Sequence, residues 1–310
     1  MNSPPTNTFF AFAFGCGRHL ERVDITLTEI RNAVRAALAE DLGPGDATTL
    51  ATVPAAARSV ALMNAREPLV VAGLEFAVQA FRLLSPRIQI EKRVADGAHA
   101  QAGDPLLKIS GASRALLSAE RVALNFVQRL SGVATATAQY AAAVQGTAAS
   151  ILDTRKTTPG WRRFEKYAVT CGGGRNHRIG LYDMVLIKDN HLVALRHEKP
   201  NAIAAAVARA RKQFPKLQVE VEADTLEQVA QAADAGADII LLDNMPPAQL
   251  RRAVKIIAGR AQSEASGGVN LKTVRAIAAT GVNFISVGAI THSARAVDIG
   301  LDFAGTDEPQ

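Results

Sequence analysis

The sequence reads as an α/β protein: a TIM-like (β/α) barrel preceded by a smaller α+β domain. Three observations predict it. From residue 148 onward, short apolar strands alternate with helical stretches in units of roughly 20–35 residues, the pattern of parallel strands joined by helical crossovers. No GxGxxG follows the first of those strands, which disfavours the competing doubly wound open sheet. Every predicted strand end carries charge or glycine, and the C-terminal strand ends are where a barrel builds its site.

Composition agrees and sets limits. The 310 residues suffice for about two domains. An apolar share of 48 % with 21 % charged residues excludes general disorder. No stretch reaches the ~18–20 apolar residues of a membrane span. Two cysteines, Cys16 and Cys171, form neither a disulfide scaffold nor a CxxC zinc site, so a reducing, cytoplasmic location is expected. The net charge of +6 is compatible with nucleic acid, a membrane surface or small anions until it is located along the chain.

In chain order, residues 1–23 read as a flexible N-terminal extension. No basic residue precedes its apolar run at 9–14, as an export signal would need. A helix is predicted over 27–38, with Ile30, Val34 and Leu38 on one face and Thr26 or Thr28 as cap. The Gly/Pro/Asp turn at 41–46 follows. Strands are predicted at 59–64, 69–72, 89–94 and 105–109, with a helix at 74–84 and turns at Asp96-Gly97 and Gly103-Asp104. A long helix over 114–142 should break near Gly132. The barrel strands are 150–152, 184–187, 218–221, 238–242, 263–266 and 284–287. Helices fall at 202–214, 226–235, 247–257 and 271–279.

The strand ends hold the chemistry. The first ends in Asp153-Thr154-Arg155-Lys156 and the second in Lys188-Asp189-Asn190-His191. The third carries Glu220 and Glu222, two apart and so on one face. The fourth ends in Asp243-Asn244; the last two run into Ser266-Gly267-Gly268 and Val287-Gly288-Ala289. Between Arg155 and Lys188 lie eight cations and two carboxylates, an excess equal to the +6 of the whole chain. A cationic cluster at a barrel mouth suits a small polyanion; a solvated basic loop is the plain alternative. Glycine-bearing strand ends offer backbone N–H groups to phosphate. Glu220, Glu222 and Asp243 could hold Mg²⁺, balance a developing positive charge, act as acid or base, or pair with Arg155 and Lys188. His177, between Asn176 and Arg178, reads as a donor to an anion, and no histidine spacing supports zinc.

These motifs resemble the quinolinate phosphoribosyltransferase family. The resemblance rests on Asp153-Thr154-Arg155-Lys156-Thr157-Thr158-Pro159-Gly160, on Gly172-Gly173-Gly174-Arg175-Asn176-His177-Arg178, and on Leu186-Ile187-Lys188-Asp189-Asn190-His191. It continues through Glu220-Val221-Glu222, Leu242-Asp243-Asn244, Ser266-Gly267-Gly268 and 287–293, and covers residues 24–303. It implies a sandwich-like N-terminal α+β domain at 24–130, rejoined by C-terminal residues 295–310, and a seven-stranded barrel at 131–294. A strand beyond the six read directly would then hide near 133–146 or within 191–200.

The implied reaction joins quinolinate to phosphoribosyl pyrophosphate with Mg²⁺ required. Nicotinate mononucleotide, pyrophosphate and CO₂ form, a step in NAD biosynthesis. Arg155, His177, Arg178 and Lys188 would clamp the two carboxylates, with Arg121 supplied across a homodimer interface, higher oligomers staying open. Lys156, Glu222 and Asp243 would be catalytic, with Glu222 and Asp243 meeting the ribose or Mg²⁺ and Thr154 completing the substrate site. The 5′-phosphate would rest on Ser266, Gly267, Gly268, Val287, Gly288 and Ala289. No nucleic-acid or membrane partner is implied. Two rivals stay open: a sibling phosphoribosyltransferase for another pyridine or pyrimidine carboxylate, and a non-catalytic anion- or RNA-binding barrel. The RNA reading would use Trp161, Phe164 and Tyr167 as stacking platforms.

Overall fold

A computed structural model describes residues 23–303. The extension read at 1–23 therefore lies, apart from Val23, outside the described residues. The N-terminal half contains α1 (Leu27–Leu42), α2 (Ala47–Thr52), β1 (Arg58–Ala65), β2 (Leu69–Val70), α3 (Leu74–Leu84), β3 (Gln89–Lys92), β4 (His99–Ala100), β5 (Pro105–Ala112) and α4 (Ser113–Ala143). The C-terminal half continues with β6 (Ser150–Leu152), α5 (Arg162–Cys171), β7 (Val185–Ile187), α6 (Asp189–Ala194), α7 (Ala202–Gln213), β8 (Val219–Ala223), α8 (Leu226–Asp234) and β9 (Ile239–Asp243). It closes with α9 (Pro247–Ile257), β10 (Gln262–Ser266), α10 (Val274–Ala278), β11 (Phe284–Ser286), α11 (Ala289–His292) and β12 (Ile299–Phe303).

Local chemistry starts these elements where the sequence marks them. Thr26 caps α1 and Glu29 bonds back to the Thr26 N–H at 2.8 Å, a reciprocal capping box. Asp46 caps α2. The antiparallel sheet of the N-terminal half runs β12-β1-β5-β3, so the chain end returns to pair with β1. Helix α4 is continuous through Gly132, contrary to the expected break. The glycine serves packing instead: a Cβ there would lie 2.0 Å from the Arg295 carbonyl oxygen, so only glycine lets the returning chain cross α4.

The C-terminal half holds a six-stranded parallel sheet, ordered β6-β11-β10-β9-β8-β7. Sequence neighbours β6 and β7 stand at opposite edges, and the sheet is not closed. The expected α/β class with an N-terminal α+β part and a parallel-sheet C-terminal part is present, while closure of the sheet into a barrel is not seen in its strand pairing. Neither place proposed for a seventh strand holds one: α4 ends within the first, and α6 occupies part of the second. What lies along the free edge of β6 is Arg175, whose N–H donates to Ile151 at 2.8 Å and whose carbonyl accepts from Asp153 at 3.1 Å. The pairing stops there because the next N–H in register, that of His177, donates to the Asp153 side-chain carboxylate at 2.8 Å instead of its carbonyl.

Candidate active site

Strand register sorts the parallel sheet into two faces. Val219, Val221, Ala223, Ile240, Leu242, Ala265 and Ile285 pack with the helices in the main apolar core. Their alternates, Glu220, Glu222, Leu241, Asp243, Glu264 and Ser266, point the other way. The alternation of Glu and Val in β8 thus puts carboxylates on the inner face while keeping the outer face apolar.

At the end of β6, Asp153 is fully buried and ion-paired with Lys166, also fully buried. Burial pushes the Asp153 carboxyl up and the Lys166 amine down, and their mutual attraction opposes both shifts. Asp153 also accepts from the Asn176 side chain at 2.7 Å and the His177 N–H at 2.8 Å, so it anchors the next segment of the site. Two residues on, Arg155 Nε is a buried donor without a hydrogen-bond partner. A buried, unanswered guanidinium N–H calls for an acceptor. Arg178 is buried too, with Nη1 donating to the Met184 carbonyl at 3.2 Å. Burial lowers its pKa, and repulsion from Arg155 lowers it further.

Beneath Arg178 sits His177. Its Nε2 is 3.1 Å from Glu220 and 3.6 Å from Glu264, both carboxylates fully buried. No aligned hydrogen bond reaches any of their four oxygens. Burial pushes the ring down, but Glu264 and Glu220 outweigh it and favour a pKa of about 9. Against a second ring proton stands the Arg178 N–H, which donates to Nδ1 at 2.8 Å. The hydrogen bond is the tighter constraint, so the ring carries its proton on Nε2, facing the glutamates. The three groups lie close enough to surround a metal. A protonated Nε2, however, has no lone pair for one.

Lys188, just past β7, meets Glu222 at 2.6 Å, a pairing set by register because Leu186 stands beside Glu220. Asp243 accepts from the Asn244 side chain at 2.6 Å. Asn244 holds a left-handed φ of +54°, and a Cβ on Gly267 would lie 2.1 Å from its Oδ1. Gly267 is thus required for the close approach of the β9 and β10 ends. Lys156 reaches across Gly288, where a Cβ would lie 3.1 Å from its Cδ. Thr154 accepts from the Lys156 N–H at 3.0 Å. A concavity of about 710 Å³ lies at the opposite strand ends, lined by Gln218, Asp238, Gln262 and Asn283, away from all these groups.

The structure divides the basic stretch 155–188. Arg155, Lys156, Arg178 and Lys188 belong to the group just described. Lys166 is internal, Arg162 braces the Thr157 and Ile179 backbone region, and Arg163 pairs with Glu29 of α1. The stretch is also not a loop, since α5 occupies its middle. Its aromatics are engaged: Trp161 stacks on Phe126 at 4.8 Å, Phe164 meets Phe76 edge-on at 5.0 Å, and Tyr167 bonds Asp96 at 2.7 Å. They offer no free platforms to bases. Arg121 is exposed on α4 and makes none of the hydrogen bonds or ion pairs of the chain's own site. Sequence reading missed Glu264 as a site residue, and missed the bracing by Glu165, Thr158 and Thr291 described below. A lone Glu at the third position of a short strand carries no motif.

Guanidinium and ammonium groups facing paired carboxylates, at the C-terminal ends of parallel strands, define an α/β enzyme for small polyanions. The family models for quinolinate phosphoribosyl transferase match here, the N-terminal domain at residues 46–131 and the C-terminal domain at 133–302. The chain belongs to the quinolinate phosphoribosyltransferase family. A carboxylating nicotinate-nucleotide pyrophosphorylase of Mycobacterium leprae is 44 % identical over 292 residues, covering 90 % of this chain and 99 % of that protein. A probable one of Bacillus subtilis is 40 % identical over 270 residues, covering 87 % and 91 %. The solved nicotinate-nucleotide pyrophosphorylase of Francisella tularensis superposes with a TM-score of 0.86 at 38 % identity, over 92 % of this chain and 100 % of that one. The human nicotinic acid phosphoribosyltransferase structure shares the fold alone, with a TM-score of 0.58 at 13 % identity.

Proposed function

We propose that the chain transfers the phosphoribosyl group of phosphoribosyl pyrophosphate to the ring nitrogen of quinolinate and releases CO₂, as its family membership implies. The observation that carries this reading is the buried, unanswered Arg155 Nε beside Arg178, with Lys188 on Glu222 and with Asp243 on the same sheet face. Three cations suit a dicarboxylate, and two carboxylates suit a ribose that becomes positive. Arg155, with its unanswered buried N–H, and Arg178 take the substrate carboxylates and orient the ring nitrogen toward the ribose. Lys188 joins them by exchanging its Glu222 contact for a substrate carboxylate. Both ring nitrogens of His177 are engaged inside the protein, so we assign to it the placing of Arg178.

As the bond from the anomeric carbon to pyrophosphate breaks and the bond to the ring nitrogen forms, Glu222 and Asp243 stabilise the positive ribose. Lys156 and the amides at 266–268 and 287–289, with Ser266, hold the phosphate groups, and Thr154 shapes the Lys156 turn. The pyridinium then accepts the electron pair of the breaking bond to the 2-carboxylate. CO₂ leaves and a proton takes its place. Glu222 and Asp243 are hard oxygen donors of the kind Mg²⁺ takes beside substrate phosphates. Bound there, the ion would neutralise charge on the departing pyrophosphate.

The open strand order, that of a ring cut between β6 and β7, supports a seven-stranded barrel reading with the Arg175 segment as the seventh member. Pairing of β12 with β1 supports a domain of 24–130 joined by 295–310, against 131–294. Exposed Arg121 supports a homodimer in which it enters the partner's site. Leu181 and Tyr182, large apolar side chains left exposed three and four residues past Arg178, fit the same covering. Among the described residues no helix is long and apolar enough to cross a membrane. A cytoplasmic site rests on cysteine usage, though some plant relatives are named chloroplastic or mitochondrial. Purified protein with Mg²⁺ and phosphoribosyl pyrophosphate should release CO₂ from quinolinate and leave nicotinate unreacted. Equal turnover of nicotinate would overturn the dicarboxylate clamp.

A further inference from the structure

Arg129, Glu165, Thr158 and Thr291 form one hydrogen-bonded unit behind the site. Glu165, on α5, is fully buried. Its Oε1 accepts from Arg129 Nη2 at 2.6 Å and from Thr158 Oγ1 at 2.8 Å, and its Oε2 accepts from the Thr158 N–H at 3.0 Å. Arg129, on α4, also donates to the carbonyls of Thr291 at 2.6 Å and Ala294 at 2.5 Å. Thr291 passes the chain on: its Oγ1 donates to the Lys156 carbonyl at 2.8 Å. One carboxylate and one guanidinium thus join three segments. These are the loop after β6 that carries Lys156, the helix α5, and the turn after β11 that carries Gly288.

A buried ion pair is a weak source of stability, because desolvation offsets much of its attraction. Its hydrogen bonds do fix direction. Here Thr158 donates to Glu165 from the Lys156 loop, and Arg129 links Glu165 to the Thr291 carbonyl on the Gly288 side. We propose that Glu165 and Arg129 are positioning residues, which hold the Lys156 loop against the Gly288 turn and so set the spacing of the groups that receive phosphoribosyl pyrophosphate. The proposal rests on the phosphate role given above to Lys156 and the Gly288 region. Functional groups must be held to within about 0.5 Å to act together, so slack in this unit should be felt on that substrate. The dicarboxylate clamp hangs from other supports. Arg162 holds the Arg155 carbonyl and Thr157, while Asp153 and Asp183 hold the backbone on either side of Arg178.

The test compares Glu165→Gln, Thr291→Val, Thr291→Ser and Lys156→Ala with the unaltered enzyme. Steady-state kinetics are read with each substrate, quinolinate affinity by calorimetry, and Tm by scanning. Glu165→Gln keeps one acceptor oxygen but turns an amide N–H₂ against at least one of the three donors, and Thr291→Val removes the Lys156 contact at nearly constant volume. Both should lower kcat/KM for phosphoribosyl pyrophosphate by roughly 10–100-fold, the scale of a small misplacement. Quinolinate affinity should stay within about twofold, and Thr291→Ser should restore near-normal kinetics. A lower Tm with unchanged constants for phosphoribosyl pyrophosphate would overturn the proposal, as would equal losses for both substrates. If Glu165→Gln does not fold, Thr291→Val decides. Lys156→Ala separates the layers. If it leaves phosphoribosyl pyrophosphate kinetics intact, the phosphate role of Lys156 is wrong. If it impairs them while Glu165→Gln and Thr291→Val do not, the positioning role is wrong.

Discussion

Replacing Glu264 with glutamine should flatten the pH dependence of stability. Glu264 is fully buried, 3.6 Å from His177 Nε2 and beside Glu220. Burial first, then the Glu220 charge, raises its pKa from 4.5 to about 8. The unfolded chain titrates it at the ordinary value. The stabilisation from the neutral carboxyl is therefore complete below pH 4.5 and declines as pH rises, and the decline levels off above about 8. A gap of roughly 3.5 units, at ~1.4 kcal/mol each, is on the order of 5 kcal/mol. Full burial removes any discount for solvent screening. Glutamine stays neutral throughout and offers an amide N–H₂ on the side of Glu220. At about 2–4 °C per kcal/mol for a chain of this size, the effect is roughly 10 °C or more. Thermal unfolding of both proteins at pH 5, 7 and 9 checks it. Tm values should nearly coincide at pH 5, and Glu264→Gln should stand about 10 °C higher at pH 9. Titrations away from Glu220 and His177 are common to both and cancel in the difference. Parallel Tm curves for the two proteins would refute the reasoning.

Two further outcomes follow from the site. Glu222→Gln releases Lys188 and removes a carboxylate from the ribose side, so kcat should fall by an order of 10²–10³ while quinolinate binds as well or better. Lost quinolinate affinity with near-normal turnover at saturation, read by calorimetry beside kcat, would show that the ribose assignment is wrong. Arg121→Ala and Lys188→Ala proteins, each nearly inactive alone, should regain activity when mixed and allowed to exchange subunits. Heterodimers that form and stay inactive would mean that each site is built from one chain.

Legibility followed the physics of each element. The predicted helices at 74–84 and 247–257 coincide with α3 and α9, because each has an apolar stripe at helical spacing. Helix α5 went unseen because its buried face carries Glu165 and Lys166. Charged residues in a strongly basic stretch read as solvent-facing until their partners are known, and those partners, Asp153 and Arg129, lie 13 and 36 residues away. Gly132 misled for a related reason: the feature that requires it, the Arg295 carbonyl, lies more than 160 residues away. Arg155, Lys156, Lys188, Glu222 and Asp243 could be read as candidates because they fall at strand ends, and Arg178 because it closes the contiguous 172–178 motif.

The sequence by itself determined the alternating α/β order, the strand ends that carry chemistry and the family, since each depends on local period or contiguous motif. Tertiary structure alone decided which cations of 155–188 gather at the strand ends and which brace the fold. It also decided that Glu222 meets Lys188, that His177 is held by two buried glutamates, and that the sheet stays open between β6 and β7. These outcomes depend on strand register and on burial. Both are set by contacts between segments far apart in the chain, and no local pattern encodes them.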